Sequence, residues 1–175
     1  RRNRPAVPGG RARASNSVEG GIRARYSFLP KMTAPIRFYS VTDAYGEFSN
    51  FAAYPIVLDG KKWPTSEHYF QAQKFEDASV REHVRAARTP MIAAQRGRDR
   101  SKKLRKDWDR ARDAVMEKAL IAKFTQHEDL RALLLGTGDA PLIEHTANDD
   151  YWGDGGDGSG ANRLGMLLMK VRHSL

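Results

Sequence analysis

The segment over residues 107–124 constrains the fold most, because its apolar side chains recur at three- and four-residue spacing. The apolar side chains of this face are Val115, Met116, Ala119, Leu120, Ala122 and Phe124. A helix with so broad an apolar face gains its stability mainly from the elements that cover it. With 175 residues, 40% of them hydrophobic, the chain can bury one core around this helix. We therefore expect one compact domain.

Shorter segments on both sides carry the signals of further helices and of strands. Helices are predicted over residues 64–77, 89–97, 129–135 and 162–172. A further short helix is predicted to begin at residue 79, because residues 79–82 match a capping box. Strands are predicted over residues 36–40, 54–58 and 142–145, the second closed by the turn pair Asp59-Gly60, and a loop over residues 153–160. This order predicts an α+β fold: a compact, helix-rich single domain with a few short strands.

Residues 1–31 differ in composition from the rest of the chain. They are rich in Arg, Gly, Ser and Pro and carry a net charge of +7, which leaves only +2 for residues 32–175. A stretch with few large apolar side chains cannot offset its ordering entropy by burial. We expect residues 1–31 to be a disordered basic extension, with Met32 an ordinary start for a domain over residues 32–175. Binding of nucleic acid by this basic stretch stays open.

Composition also excludes several kinds of site. The chain has no cysteine, so it has no disulfide framework, no thiolate metal site and no cysteine nucleophile. The acids over residues 148–158 do not match the spacing of an EF-hand loop, so we expect no metal there. No apolar run approaches the roughly 18–20 residues that span a bilayer, so we expect no membrane partner. The lack of cysteine fits a reducing compartment, and we expect a cytoplasmic protein.

Residues 46–51 form the first of three segments with unusual polar and aromatic content. Ser49 and Asn50 stand between Phe48 and Phe51, and such a turn can hydrogen-bond a sugar or phosphate while a ring stacks on a base. The pattern equally fits a Ser-Asn turn that bonds its own backbone above two core rings. The residues alone leave both interpretations open.

Residues 63–75 form the second segment. Glu67, Gln71 and Lys74 fall within about 60° on one face of the predicted helix. A carboxylate, an amide and an ammonium in a row can serve a sugar ring through acid–base chemistry, hydroxyl binding and charge stabilisation. The flanking aromatic side chains, Trp63 among them, favour an enclosed polar site over a solvated stripe of paired side chains. His68 lies about 100° from Glu67 and fits a packed, hydrogen-bonded histidine better than a catalytic base.

Residues 148–158 and the basic cluster over residues 96–103 complete the candidates. The first is interpreted either as a mobile loop that presents Trp152 and Asp154 to a ligand or as a solvent loop anchored by a buried tryptophan. Arg98 lies in the basic cluster, which can grip a phosphate or remain a solvated connector.

Together these segments resemble the NADAR, or YbiA-like, family. The most specific match is the string Trp-Pro-Thr-Ser-Glu-His-Tyr-Phe-Gln-Ala-Gln-Lys-Phe over residues 63–75. The other matching motifs are Phe38-Tyr39, Phe48-Ser49-Asn50-Phe51, Gly97-Arg98, Trp108, Lys123-Phe124, Leu142-Ile143-Glu144, Tyr151-Trp152-Gly153, Asn162-Arg163-Leu164-Gly165 and Leu168-Met169. They follow one another in order over essentially all of residues 36–175.

The resemblance implies a small α+β domain that cleaves N-glycosidic bonds without a metal or cofactor. The implied substrates are phosphorylated aminopyrimidine ribosides, early intermediates of riboflavin biosynthesis, which hydrolysis splits into ribose 5-phosphate and free base. On this basis we expect Glu67 to stabilise the positively charged sugar or to orient water, with Asp154 as a second acid. The expected substrate-binding residues are Ser49, Asn50, Phe51, Trp63, Gln71, Lys74, Arg98 and Trp152, with Lys74 and Arg98 on the phosphate.

Two alternatives stay open. A related branch of the family acts on ADP-ribose, including ADP-ribose attached to guanine, and this activity would make DNA a partner. The other alternative is a module that binds ADP-ribose or another nucleotide without turnover. Release of free base from a riboside would separate the hydrolase from the module.

Overall fold

The structure, a computed structural model, describes residues 33–175. The extension predicted over residues 1–31 lies outside the described residues. The helices of the described part are α1 Ser66–Ala72, α2 Ala78–Arg85, α3 Pro90–Gly97, α4 Trp108–Gln126, α5 Glu128–Gly136 and α6 Arg163–Ser174. The strands are β1 Ile36–Phe38, β2 Ile56–Leu58, β3 Lys61–Trp63 and β4 Leu142–Glu144, and a 3-10 turn covers Gly46–Phe48. These elements confirm the predicted helix-rich α+β class.

The core is built on α4, whose faces enter two hydrophobic clusters. Its large side chains Met116, Leu120 and Phe124 pack with α5, α6, β1 and β4. Its small side chains Ala119 and Ala122 pack with β2, β3 and the helices α1 to α3. The apolar face predicted for residues 107–124 is therefore confirmed, and it serves two clusters because small and large side chains lie on different sides of it.

The strands form two separate pairs. β1 and β4 are parallel, with Ile36 opposite Leu142 and Phe38 opposite Glu144. This pairing joins the first described strand to a segment near the end of the chain, and it places Glu144 beside a buried aromatic residue.

The second pair is the antiparallel hairpin of β2 and β3. Its turn is the predicted Asp59-Gly60 pair, and both residues have positive φ, 52° and 72°. Such angles are typical of a two-residue hairpin turn. β3 itself was not expected, because Lys61 and Lys62 are exposed, only Trp63 is buried and a strand this short shows no alternation.

α1 is shorter than the helix predicted over residues 64–77. It ends at Ala72, and Phe75 instead forms an antiparallel bridge with Leu104. Lys74 therefore lies in a turn rather than on the helix.

The start of α2 also differs from the prediction. Asp77 is its N-cap, because the Asp77 carboxylate accepts hydrogen bonds from the backbone N–H groups of Ser79 and Val80. The proposed capping box is wrong, since Glu82 instead forms ion pairs with Arg85 and Lys61.

α3 follows the predicted helix over residues 89–97 closely. α3 ends at Gly97 as expected, and Thr89 caps its start by accepting the N–H of Ile92. No helix within residues 33–175 is both long enough and apolar enough to cross a bilayer.

Candidate active site

A polar cavity of about 300 Å³ lies between α1, the start of α4, the turn after β1 and the loop after β4. Most of the predicted site residues line it: Ser49, Asn50, Phe51, Glu67, Gln71, Lys74, Arg98 and Trp152. Lining residues that were not predicted are Tyr39, Phe70, Trp108, Arg112, Met116, Glu144, Thr146, Asn148 and Asp149. The structure therefore brings four distant parts of the sequence to one site.

Glu67 and Gln71 reach this cavity from α1, every residue of which is buried. Thr65 caps the helix and fixes its first turn by accepting the N–H of His68 at 3.3 Å. The Gln71 amide Nε2 donates to Glu67 Oε1 at 2.7 Å, one helical turn away. A carboxylate only accepts hydrogen bonds, so this contact orients the amide and leaves Gln71 Oε1 facing the closely packed Gly97.

Opposing effects act on the pKa of the Glu67 carboxyl group. Burial raises its pKa, whereas the hydrogen bond from Gln71 and the nearby charges of Lys74 and Arg98 act in the opposite direction. A side chain that is only 8% exposed yet retains one donor and two cations nearby can place negative charge next to a bound ligand.

Lys74 reaches the cavity although it lies beyond the end of α1. Its amine is 5.6 Å from the centre of the Phe70 ring and 5.9 Å from that of Trp108, and it donates to the Gly97 carbonyl at 3.5 Å. Burial lowers the pKa of Lys74 to about 8, and the charge of Glu67 opposes this shift. The amine is therefore a cation at neutral pH that a further anion can bind.

The wall that carries Ser49 and Asn50 is fixed from α4. Lys123 is fully buried, and its amine donates to the backbone carbonyls of Glu47 at 2.5 Å and Ser49 at 2.9 Å. Burial lowers the pKa of Lys123 to about 7. A buried lysine is costly to charge, so its two carbonyl acceptors matter for holding this wall.

The same wall is joined to α1. The Asn50 carbonyl accepts the backbone N–H of Glu67 at 3.2 Å, and Asn50 Oδ1 accepts the Ser66 hydroxyl at 3.1 Å. The catalytic candidate Glu67 and the candidate binding residue Asn50 therefore keep a constant separation.

Another part of the cavity lining begins with Glu144 at the end of β4. Burial raises the pKa of Glu144 to about 7, and the negative charges of Asp149, Glu67 and Asp154 add to this shift. Its Oε2 atom is sealed from solvent, and none of the described residues gives it a hydrogen bond. Glu144 lies outside the predicted site residues, although the motif that contains it contributes to the family resemblance.

The loop after β4 presents Trp152. Asp149 Oδ1 accepts the backbone N–H groups of Tyr151 at 2.9 Å and Trp152 at 2.7 Å, which bends the chain into a tight turn. The Trp152 ring then packs edge-on against Phe70, with centres 5.3 Å apart. This side of the cavity is an aromatic surface next to a carboxylate.

Arg112 adds a cation that was not predicted. Its guanidinium lies 3.5 Å from the centre of the Tyr151 ring, and its buried Nε has no acceptor among residues 33–175. Arg98 lies at the exposed rim, and a second hollow of about 230 Å³ adjoins the cavity and shares Lys74 and Arg98. One side of the site is therefore rich in positive charge.

Two predicted site residues lie outside the cavity. Trp63 is a core residue, 3% exposed, whose indole N–H donates to the Leu58 carbonyl at 3.1 Å. Asp154 stabilises the glycine-rich loop, because its carboxylate accepts hydrogen bonds from the backbone N–H groups of Thr146 and Gly156 and contacts His145 Nδ1 at 2.8 Å. Neither side chain is placed to contact a ligand in the cavity.

His68 has the predicted structural role. It is 1% exposed, and its ring nitrogens contact Thr65 Oγ1 at 2.8 Å and the Ala87 carbonyl at 3.1 Å. Burial lowers the pKa of His68, which favours the neutral ring.

Among the described residues, neither a metal cluster nor the groove along α4 competes with this site. Residues 33–175 contain no group of three or more His, Asp or Glu side chains placed to hold a metal ion. A larger groove of about 470 Å³ runs along α4, but its charged residues Lys118 and Glu117 are already paired with Asp59 and Lys170. The cavity around Glu67 is therefore the candidate active site.

Residues 37–175 match the NADAR domain family. This chain is a member of the NADAR domain family. The family resemblance inferred from the sequence motifs is thereby confirmed.

The names of several relatives of this NADAR domain state an activity or a pathway. N-glycosidase YbiA of Escherichia coli is 64% identical over 140 residues, which cover 80% of this chain and 88% of that protein. An N-glycosidase of Nostoc punctiforme is 43% identical over 143 residues, 80% of this chain and 92% of that protein. A riboflavin biosynthesis protein of Vibrio vulnificus is 43% identical over 144 residues, 82% of this chain but 39% of that longer protein.

A solved structure supports the same family assignment. The NMR structure of Escherichia coli YbiA has a TM-score of 0.77 against this NADAR domain, with 61% identity over 83% of this chain and 86% of that one. The α+β architecture is therefore shared with this relative.

Proposed function

We propose that this NADAR domain hydrolyses the N-glycosidic bond of phosphorylated aminopyrimidine ribosides, which are early intermediates of riboflavin biosynthesis. The products are ribose 5-phosphate and a free aminopyrimidine. The N-glycosidase class agrees with the names of relatives at 64% and 43% identity, and riboflavin biosynthesis appears in the name of a third relative. The observation that carries the proposal is the buried Glu67 carboxylate, oriented by Gln71 in a cavity that also contains cations and aromatic rings.

Glu67 acts on the sugar in this proposal. Breaking a ribosyl C–N bond develops positive charge at the anomeric carbon, and a carboxylate in a water-poor cavity stabilises that charge. The hydrogen bond from Gln71 and the nearby charge of Lys74 oppose the rise in the pKa of Glu67 that its burial causes. The chemistry requires neither a metal nor a cofactor, because the protein supplies the charge itself.

The remaining lining residues bind the substrate. Lys74, Arg98 and Arg112 form the cationic side of the cavity and receive the phosphate. The rings of Phe51 and Trp152 enclose the aminopyrimidine. The polar groups of Ser49, Asn50 and Gln71 bind ribose hydroxyls.

The proposal also includes the domain boundaries and the place of the reaction. The proposed catalytic domain covers residues 32–175, in agreement with the family match from residue 37. We place the reaction in the cytoplasm, where a chain without cysteine is compatible with reducing conditions.

The test is release of base by the full chain and by Glu67→Gln. Wild-type protein is incubated with the phosphorylated aminopyrimidine riboside and, separately, with DNA that carries ADP-ribosylated guanine, and chromatography measures the free product. We expect release from the riboside, and a loss of about 10²–10³-fold in kcat for Glu67→Gln, the magnitude typical of lost electrostatic stabilisation.

The matched control is Glu76→Gln, which removes the same charge from an exposed side chain after α1 and keeps the wild-type kcat. Cleavage of the DNA substrate alone would assign the protein to ADP-ribose chemistry. Binding of either substrate without cleavage would replace the enzyme by a binding module.

A further inference from the structure

Cleavage of an N-glycosidic bond places demands on two atoms. The anomeric carbon becomes positive, and the departing nitrogen keeps the electron pair of the C–N bond and needs a proton. In the function proposed above, Glu67 stabilises the positive charge at the anomeric carbon. Glu144 supplies a further carboxyl group to the cavity lining, beside those of Glu67 and Asp149.

The carboxyl groups of Glu67 and Glu144 differ in the charges of their neighbours. Glu67 accepts a hydrogen bond from Gln71 and has the cations Lys74 and Arg98 among its neighbours. These groups oppose the rise in the pKa of Glu67 that burial and the charge of Asp149 cause. The charged groups that influence Glu144 are acids, namely Asp149, Glu67 and Asp154. Two carboxyl groups whose environments separate their protonation states can divide the roles of acid and base.

The orphan oxygen of Glu144 is the second observation. Its Oε2 is sealed from solvent without a partner among the described residues, while the side chain lines the cavity. A buried carboxylate oxygen without a donor is costly, and a protonated carboxyl that donates its hydrogen to a ligand removes this cost.

The backbone holds Glu144 in place. Asn162 Oδ1 accepts the Glu144 N–H at 3.0 Å, and Asn162 Nδ2 donates to the Leu142 carbonyl at 2.9 Å. Asn162 adopts a left-handed conformation with φ of 47° at the start of α6. A Cβ on Gly153 would lie 2.9 Å from the Glu144 carbonyl, so this glycine allows the following loop to close over β4. The strand end that carries Glu144 is thus fixed on both sides.

We propose that Glu144 is the general acid of this site and protonates the base nitrogen as the C–N bond breaks. The electron pair of that bond passes to the nitrogen, which takes the proton from the Glu144 carboxyl and leaves as the neutral aminopyrimidine. Water adds its oxygen to the anomeric carbon from the side of Glu67, and Glu67 accepts the proton that this water loses. Exchange with solvent then returns a proton to Glu144 and removes one from Glu67. This assignment rests on the proposed N-glycosidase function.

The first measurement is the pH dependence of kcat for wild type, Glu144→Gln and the exposed control Glu128→Gln on α5. We expect wild-type kcat to fall as the pH rises above about 7, because Glu144 must be protonated to act. Glu144→Gln should lose about 10²–10⁴-fold in kcat below that pH, with little change in KM, and should lack the alkaline decrease. The other charged groups of the cavity, Glu67, Asp149, Lys74, Arg98 and Arg112, remain in all three proteins.

The second measurement separates proton donation from a structural role. A series of phosphorylated N-ribosides that wild type cleaves, with leaving bases of increasing acidity, is compared for wild type and Glu144→Gln. The variant should depend more steeply on leaving-base acidity, because a more acidic base departs without help. Equal slopes, or a wild-type alkaline decrease in the variant, would overturn the role of Glu144. Absence of base release by wild type would instead refute the proposed function itself.

Discussion

Replacing Lys123 by methionine tests how the wall that contains Ser49 is held. The amine of Lys123 is fully buried on α4 and donates to the carbonyls of Glu47 and Ser49. Methionine is similar in length and has neither charge nor donor, so it keeps much of the packing and removes both hydrogen bonds. We expect lower kcat, because the turn that carries Ser49 loses its anchor.

The buried amine of Lys123 should make the free energy of unfolding depend on pH. Burial lowers the pKa of Lys123 from 10.5 to about 7. Between these values the unfolded chain holds a proton that the folded protein has released, so the free energy of unfolding rises with pH. At about 1.4 kcal/mol per pKa unit, the rise from pH 7 to pH 9 is about 2 kcal/mol. At pH values well below 7 the amine is charged in both states and the dependence disappears.

The assay is urea unfolding of wild type and Lys123→Met at pH 7, 8 and 9. The difference in unfolding free energy, wild type minus variant, should increase by about 2 kcal/mol over this range, because all other titrating groups are common to both proteins. Lys62→Met, which changes an exposed lysine on β3, should show no such increase. A constant difference for Lys123→Met would show that the amine remains charged in the folded protein and would refute the reasoning.

Three further changes have defined outcomes. Leu120→Ala removes a fully buried side chain and should lower the free energy of unfolding by about 2–5 kcal/mol in urea denaturation, and a cost below about 1 kcal/mol would contradict its place in the core. Gly97→Ala would place a Cβ 2.0 Å from Gln71 Oε1, so Gln71 must shift away from Glu67, and kcat for base release should fall by about 10²-fold. Unchanged kcat in that variant would show that the amide does not orient the carboxylate. Deletion of residues 1–31 should leave kcat and KM unchanged, and loss of turnover would place part of that stretch in the catalytic domain.

The sequence could predict the helical part of the fold because its signals are local. The apolar spacing around Leu120 marks α4, and Thr89-Pro90 with Gly97 marks both ends of α3. The face shared by Glu67 and Gln71 follows from helical geometry alone, and the structure places both side chains in the cavity. These features depend on neighbours within a few residues.

The residues that sequence reasoning missed depend on long-range contacts. Glu144 ends a three-residue strand whose partner β1 lies far away in the sequence, so no periodicity marks its direction. Arg112 lies near the start of α4, where a charged side chain ordinarily faces solvent, and its contact with the distant Tyr151 ring appears only in the structure.

The two misplaced residues illustrate a related limit. The side chains of Trp63 and Asp154 suit the binding of a ligand. The same aromatic ring also suits burial in the core, where Trp63 lies, and the same carboxylate also suits hydrogen bonding within a glycine-rich loop, which is the role of Asp154. Composition alone does not separate these roles.

The parallel pairing of β1 with β4 has a consequence for synthesis of the chain. Ile36 and Leu142 are joined across roughly 100 residues, and closing a loop of that length costs several kcal/mol of chain entropy before the contacts repay it. Asn162, which holds β4, lies later still. The ribosome must therefore release β4 before this strand pair can form. A nascent chain that has emerged only as far as α5 already contains Glu67 but lacks Glu144, so this part of the cavity lining is added later.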